Sequence, residues 1–134
     1  MTGLPLILSA TVRATLLRRA DEAAPNECCG ALLGRANEVT RCVELINRAS
    51  SPRDAFEASA RDILAAEARA EREGLEVLGI YHSHVEAPAA PSERDTHAAV
   101  PGWCFVIISV ASREVRAYRL SGAVLAEVRV ASPA

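Results

Sequence analysis

The feature that most restricts what this chain can fold into is a group of polar residues between positions 82 and 95. His82 and His84 are separated by one residue, and Ser92 and then Asp95 follow after seven further residues. Two imidazoles and one carboxylate can hold a single metal ion and leave one coordination position open, as catalytic zinc sites do. The spacing therefore predicts a zinc-dependent hydrolase with His82, His84 and Asp95 as metal ligands.

The residues around this group predict how it comes together. Residues 77–81 form an apolar run typical of a buried strand, and the prolines within residues 86–91 predict a loop before a helix over residues 92–100. We expect His82 and His84, just past the end of the strand, to point to the same side. Folding the loop back over the strand end would bring Asp95, one turn into the helix, to the same point.

Each of these residues also has a simpler interpretation. Ser92 and Asp95 fit an S-x-x-D capping pattern, in which the two side chains only cap the start of a helix. His82 and His84 could be a hydrogen-bonded surface pair, but Asp95 at matching spacing favours the metal site. His97 has no second partner at ligand spacing, so we interpret it as a solvated or supporting helix residue.

Hydrophobic periodicity along the rest of the chain predicts an α/β fold of the α+β type. Further helical periods lie at residues 11–24 and 59–73. The predicted strands are residues 29–34, 39–46, 77–81, 105–110, 115–120 and 124–130. The first two form a hairpin across a turn at residues 35–38, and residues 47–56 are predicted as loop. The expected architecture is a curled, mostly antiparallel sheet with about three helices.

Length and charge favour a compact cytoplasmic enzyme of one domain, covering residues 1–134. A chain of 134 residues that is 50% apolar can bury most of its surface around one core. Its 15 Lys and Arg against 17 Asp and Glu give a net charge of −2 without a block of like charge, which argues against nucleic acid and anionic membranes as partners. Residues 4–8 are apolar but too short for a signal peptide, and no run approaches membrane-spanning length.

The four cysteines do not follow the spacing of a zinc finger or a disulfide framework. Cys28 and Cys29 are adjacent, whereas Cys42 and Cys104 stand alone, so there is no CxxC pair. We therefore predict reduced, buried thiols and leave the role of Cys28 and Cys29 open. The helical His-Glu-x-x-His signature is absent, and His84-Val85-Glu86 lacks the downstream Pro-Cys-x-x-Cys of a zinc deaminase.

This pattern resembles the JAMM, or MPN-plus, metalloproteases, whose signature is an upstream Glu, then His-x-His, seven residues, Ser, two residues and Asp. The spacing from His82 to Asp95 matches it, and Glu27 is the acid in the matching context. The resemblance covers essentially the whole chain and includes residues 25–30, 79–81 and 101–105. One departure is Val85, where the family commonly has Pro, a change that loosens the loop slightly without removing a catalytic group.

The resemblance implies a JAB/MPN fold, a cytidine-deaminase-like sandwich, together with a mechanism. One zinc ion would be held by His82, His84 and Asp95. Glu27 would take a proton from the attacking water and pass it to the leaving amine. Ser92 would donate a hydrogen bond to the developing oxyanion, a contribution of about 3 kcal/mol or more. Ser83, between the two histidines, is expected to point away from the metal and to have a packing or supporting role.

The resemblance also implies a substrate, because family members cut after the C-terminal Gly-Gly of ubiquitin-like proteins. The chain looks more like the small prokaryotic members, some of which hydrolyse the amide between a ubiquitin-like sulfur-carrier protein and cysteine. The first expectation is therefore processing of a carrier–cysteine adduct in sulfur metabolism and cysteine biosynthesis. Two alternatives stay open: an isopeptidase that removes ubiquitin-like modifiers from protein lysines, and a non-catalytic MPN scaffold. A homodimer through the apolar C-terminal strands is also open.

Overall fold

The computed structural model describes residues 3–134, in which three helices flank one eight-stranded sheet. The helices are α1 (Ala10–Ala23), α2 (Ala60–Arg72) and α3 (Glu93–Ala98). The strands are β1 (Leu6–Ile7), β2 (Cys29–Arg35), β3 (Glu38–Leu45), β4 (Glu76–His84), β5 (Cys104–Ser109), β6 (Val115–Ser121), β7 (Val124–Val128) and β8 (Val130–Ala131). The predicted class, with a curled sheet and three helices, is confirmed.

The sheet is mixed, with the strand order β7-β6-β5-β4-β2-β3-β1-β8. Pairings β2·β3, β2·β4, β5·β6 and β6·β7 are antiparallel, whereas β1·β3, β1·β8 and β4·β5 are parallel. Strand β4 therefore lies in the middle of the sheet, between an antiparallel and a parallel neighbour. A central strand is held by hydrogen bonds on both sides, which makes it a rigid support for side chains at its end.

The C-terminal segment curls the sheet. The sequence predicts one strand over residues 124–130, but the structure divides this segment into β7 and β8, which are separated only by Arg129. Strand β7 pairs with β6 at one end of the sheet order, and β8 pairs with β1 at the other. One short segment thus contacts both edges, which leaves less unpaired edge backbone exposed. Strand β1 was not predicted, because its two residues are too short to show a period.

The three predicted helices are confirmed, with boundaries that shift by one or two residues. Each begins after a serine, namely Ser9, Ser59 or Ser92, whose side-chain oxygen accepts a backbone N–H in the first turn. Gly74 follows the C-cap of α2 with φ of 70°, a left-handed conformation that glycine adopts without a steric penalty. Within residues 3–134, no helix combines the length and apolar composition that a membrane span requires.

Strand β4 is longer than the sequence predicts. The apolar run suggested an end at Tyr81 with the histidines beyond it, and this is wrong, because β4 continues to His84. The extension arises from the neighbouring strand, since β5 pairs with β4 through the register His84↔Ser109. His82 and His84 therefore lie at the end of a paired strand and on the same face of it, which fixes their backbone more firmly than a loop would.

The two faces of β4 meet different parts of the core. Tyr81 packs with Leu16 and Ala20 of α1 in one apolar cluster, whereas Ile80 packs with Ala66 and Ala70 of α2 in another. Because strand side chains alternate, His82 and His84 share the α2 face with Ile80. Ser83 shares the α1 face with Tyr81.

All four cysteines are free thiols inside or beside the core. Cys28, Cys29 and Cys104 are buried and Cys42 is half-buried. Burial raises the pKa of Cys29 to about 12 and that of Cys42 to about 11. Thiols with raised pKa values hold little reactive thiolate at neutral pH, so these side chains behave as packing residues.

Candidate active site

The end of β4 brings the two predicted histidine ligands together. His82 is fully buried and His84 is 8% exposed, and their Nε2 atoms lie 3.3 Å apart. The ring of Phe56, from the segment before α2, stacks on His82 with centroids 4.3 Å apart. Both imidazoles therefore present Nε2 to one point, and Phe56 limits the rotation of the first.

The start of α3 delivers Asp95 to that point. Asp95 is 5% exposed, and its Oδ1 lies 3.1 Å from His82 Nε2 while its Oδ2 lies 3.6 Å from His84 Nε2. Ser92 forms the predicted capping box with it, because the Ser92 amide donates to Asp95 Oδ2 at 2.7 Å and Ser92 Oγ accepts from the Asp95 amide at 3.2 Å. The capping and ligand interpretations are thus compatible, since the cap orients the carboxylate that faces the histidines.

The separations within this cluster suit a tetrahedral metal site. One ligand atom from each of His82, His84 and Asp95 lies within 4.8 Å of the others. Two nitrogen ligands at ordinary zinc distances and a tetrahedral angle would be about 3.3 Å apart. The observed Nε2 separation of 3.3 Å agrees with that value. The donor set of two nitrogens and one carboxylate leaves room for water or substrate oxygen and could hold zinc.

Hydrogen bonds and burial prepare the three side chains as ligands. His84 Nδ1 donates to the Pro88 carbonyl at 2.9 Å, so its Nε2 presents a lone pair in the neutral ring. Burial lowers the pKa of His82, whereas for His84 the contacts with Asp95 and Pro88 outweigh burial and raise it. Burial opposes charge on Asp95 too, but the two imidazoles hold its pKa below the ordinary range. An ionised carboxylate beside a neutral buried imidazole favours a dication.

The loop over residues 85–91, which separates the ligands, is held by residues that the sequence did not identify. Ser109 Oγ donates to the Ala87 carbonyl at 2.8 Å, and Tyr118 Oη donates to the Ala89 carbonyl at 2.6 Å. The Val85 carbonyl accepts from the backbone of residue 111. These bonds keep the distance between β4 and α3 fixed although Val85 replaces the proline of the family pattern.

Glu27 lines the same cleft as the ligand cluster. The cleft has a volume of about 450 Å³, and its walls include Glu27, Phe56, His84, Ser92 and Asp95. Glu27 is half-buried, and burial is the main cause that raises the pKa of its carboxyl from 4.5 to about 7. A carboxylate with a pKa near neutral pH is well suited to take and return a proton.

The backbone around Glu27 is fixed by three distant residues. Its N–H donates to the Pro52 carbonyl at 2.8 Å, and its carbonyl accepts from Asn47 Nδ2 at 2.9 Å. Ser83 Oγ accepts from the Cys28 amide at 2.8 Å, as expected for a side chain that points away from the histidines. The loop prediction for residues 47–56 is correct, but the roles of Asn47 and Pro52 carried no sequence signal beyond their polar or turn-forming character.

His97 lies outside the cluster. It occupies the last turn of α3, and its side chain is exposed to solvent. The interpretation of His97 as a solvated residue agrees with this position. The candidate residues of the site are therefore the four of the original spacing, His82, His84, Ser92 and Asp95, together with Glu27.

Comparison of the sequence with known proteins identifies a matching family. The family described as prokaryotic homologs of the JAB domain matches residues 9–121. A desampylase from Haloferax volcanii is 34% identical over 98% of this chain and 99% of its own length. A probable TtuB-protein conjugate cleaving protease from Thermus thermophilus is 40% identical over 87% of this chain and 74% of its own length. A desampylase from Pyrococcus furiosus is 44% identical over 52% of this chain, and the match spans about half, 49%, of that relative.

Solved structures show the same fold. A protein from Desulfitobacterium hafniense, determined in solution, has a TM-score of 0.84 and 30% identity and covers 95% of this chain and 92% of its own. A JAB1/MPN domain protein from Archaeoglobus fulgidus has a TM-score of 0.64 and 21% identity and covers 96% of this chain and 99% of its own. The JAB/MPN fold implied by the resemblance is therefore confirmed.

Proposed function

Because this chain belongs to the family of prokaryotic homologs of the JAB domain, we propose that it is a metal-dependent hydrolase that cuts the amide bond after the C-terminal tail of a ubiquitin-like protein. The observation that carries this proposal is the convergence of His82, His84 and Asp95 in one cleft with the half-buried carboxyl of Glu27. A metal-ligand set beside a carboxyl with a near-neutral pKa can supply both the Lewis acid and the general base for hydrolysis of an unactivated amide.

Three residues would hold the cofactor, for which we propose one zinc ion. His82 and His84 would bind through Nε2, and Asp95 would bind through a carboxylate oxygen. When bound, zinc would polarise the scissile carbonyl and make water a stronger acid. The capping box holds Asp95 and the hydrogen bond to Pro88 holds His84 before any metal binds, which lowers the ordering cost of binding.

Glu27 and Ser92 would do the chemistry that the protein itself supplies. Glu27 would accept a proton from the attacking water and deliver it to the leaving amine. Ser92 Oγ already accepts a hydrogen bond from the Asp95 amide, so its own proton is free to be donated into the cleft. That donor would face the carbonyl oxygen on which negative charge develops.

The relatives support a protein conjugate as substrate more strongly than a carrier–cysteine adduct. The Thermus relative is named for cleaving a protein conjugate of TtuB, and the other two are named desampylases. The two bonds differ only beyond the scissile nitrogen, where one has a lysine side chain and the other a cysteine. Processing of a carrier–cysteine adduct in cysteine biosynthesis stays a prediction, as do the Gly-Gly tail, a cytoplasmic location, a single domain and a homodimer.

Intact-mass spectrometry would test this proposal directly. A ubiquitin-like protein ending in Gly-Gly would be offered both as a lysine-linked protein conjugate and as its C-terminal cysteine adduct, with zinc or with a chelator. Faster chelator-sensitive release from lysine would support a deconjugating peptidase, and faster release of cysteine would support carrier processing. A zinc-free protein that cleaves neither would contradict the proposal and favour a binding scaffold.

A further inference from the structure

One half-buried side chain, that of Asn47, uses its full hydrogen-bonding capacity beside the active site. Its Nδ2 donates to the carbonyls of Glu27 at 2.9 Å and Ala55 at 3.0 Å. Its Oδ1 accepts from the amides of Ala49 at 3.0 Å and Glu57 at 3.1 Å. A primary amide has two N–H donors and one oxygen with two lone pairs, so every position is satisfied.

These four bonds join two parts of the active site that are distant along the chain. One is the backbone of Glu27, and the other is the segment over residues 49–57 that carries Phe56, whose ring stacks on His82. In the same segment, the Pro52 carbonyl accepts a hydrogen bond from the Glu27 amide. Both polar groups of the Glu27 backbone therefore depend on a loop whose shape Asn47 sets.

We propose that Asn47 is a positioning residue that holds the backbone of Glu27 at the correct place relative to the metal ligands. This inference rests on the proposed function, because it gives Glu27 the role of the base. Asn47 is not among the residues that line the cleft and makes no hydrogen bond to His82 or Asp95, so we infer that it acts through Glu27. A misplacement of a reacting group by about 1 Å can lower turnover on the order of 100-fold.

The substitution Asn47→Asp removes the two hydrogen bonds that the Asn47 side chain donates and keeps the two that it accepts. A carboxylate keeps the shape of the side chain and can still accept from Ala49 and Glu57, but it cannot donate to the Glu27 and Ala55 carbonyls. Asn26→Asp is the matched control, because it adds the same charge next to Glu27 in the chain, and the exposed Asn26 side chain makes no hydrogen bond within residues 3–134. The comparison therefore isolates the lost donors from the added charge.

Steady-state kinetics of zinc-loaded protein on a lysine-linked ubiquitin-like conjugate would provide the first measurement. We expect Asn47→Asp to lower kcat on the order of 100-fold with unchanged KM and zinc affinity, whereas Asn26→Asp stays near the unmodified protein. In a Glu27→Gln background, Asn47→Asp should have no further effect, since the group that it positions is already lost. An equal loss in both backgrounds, or an unchanged kcat, would overturn the proposal.

Amide hydrogen exchange would provide a second measurement that does not depend on activity. Exchange of the Glu27 N–H in the metal-free protein should become faster in Asn47→Asp, because its bond to the Pro52 carbonyl loses support. Its protection factor, which corrects the exchange rate for the chemical effect of the preceding side chain, should not change in Asn26→Asp. Unchanged exchange in both variants would overturn the positioning role. If the unmodified protein cleaves no conjugate while Asn47→Asp still speeds exchange, the proposed function fails and the structural contact stands.

Discussion

The two halves of the candidate site are built in different ways. The ligand segment, residues 82–95, contains hydrogen bonds between positions three and four residues apart, and its loop is also held by Ser109 and Tyr118. The base segment, residue 27 with residues 47–57, is held by bonds such as Asn47 to Glu27, 20 residues apart, and its flank is held by Cys28 to Ser83, 55 residues apart. The first half therefore has a large local component, whereas the hydrogen bonds that place the Glu27 backbone all come from residues distant along the chain.

This difference separates two functions that one cleft combines. The ligand segment rests on a capped helix and on the end of a central strand, which pairs with β2 as far as His82 and with β5 as far as His84, so its geometry is set by regular elements. The base segment consists of two loops that hydrogen bonds hold against each other. Changes at the three proposed metal ligands should therefore remove metal and turnover together, whereas changes in the base segment should remove turnover and leave metal binding intact.

The largest expected effect is in the ligand segment. His82→Ala removes one of the three proposed ligands, a fully buried side chain, and we expect it to abolish both zinc binding and hydrolysis. Asp95→Ala should do the same and also remove half of the capping box. Metal content by mass spectrometry and turnover of the conjugate, measured on the same samples, would check both results.

The matched control for this prediction is His97→Ala. His97 has the same side chain and lies two residues after Asp95, but it is exposed and outside the cluster. It should keep both metal and turnover. A His82→Ala protein that retains stoichiometric zinc would contradict the ligand assignment.

The next effect is smaller and belongs to the base segment. Glu27→Gln keeps the size of the side chain but removes the carboxylate, and we expect turnover to fall about 1,000-fold while zinc binding is kept. Metal titration and single-turnover kinetics would provide the measurement. Full activity in this variant would remove Glu27 from the mechanism and would also remove the basis for a positioning role of Asn47.

The same contrast explains which parts of the structure were predictable. The spacing from His82 to Asp95 predicts the ligand cluster, because strand alternation and a helix cap are local rules that act within a few residues. Helices and most strands follow from hydrophobic periodicity for the same reason. The JAB/MPN resemblance supplied Glu27, whose position in a loop has no local signature.

What the sequence did not predict depends on tertiary contacts. The continuation of β4 to His84 comes from its pairing with β5, and the division between β7 and β8 comes from the opposite edges that they join. The hydrogen bonds of Asn47 and Tyr118 link residues from separate elements, and nothing in their immediate neighbours marks them. Such residues can be found only when the fold is known.

Ser92 lies within the ligand segment but is not one of the proposed metal ligands, and its replacement should show an intermediate effect. Ser92→Ala removes the hydroxyl that we expect to stabilise the oxyanion, so turnover should fall about 100-fold. It also removes an N-cap and should lower the free energy of unfolding by about 1 kcal/mol. Ser92→Thr keeps one hydroxyl that can serve both roles, so this variant should keep most of the turnover and most of the stability. Kinetics with chemical denaturation would separate the two losses, and an Ala variant with unchanged kcat would contradict the oxyanion role.

The smallest effect is a pH dependence that also distinguishes the segments. Burial raises the pKa of Glu27 to about 7, and only the ionised carboxylate can accept a proton from water. As the pH falls below that pKa the base is progressively protonated, so turnover should decrease by about tenfold for each pH unit.

A bound dication favours the carboxylate and lowers this pKa, so the acid limb of the zinc-loaded enzyme should lie below pH 7. Zinc occupancy measured at each pH would separate the limb from protonation of His84, whose pKa is raised by Asp95 and Pro88 despite its burial. An acid limb that persists unchanged in Glu27→Gln at full zinc occupancy would assign the titration to another group.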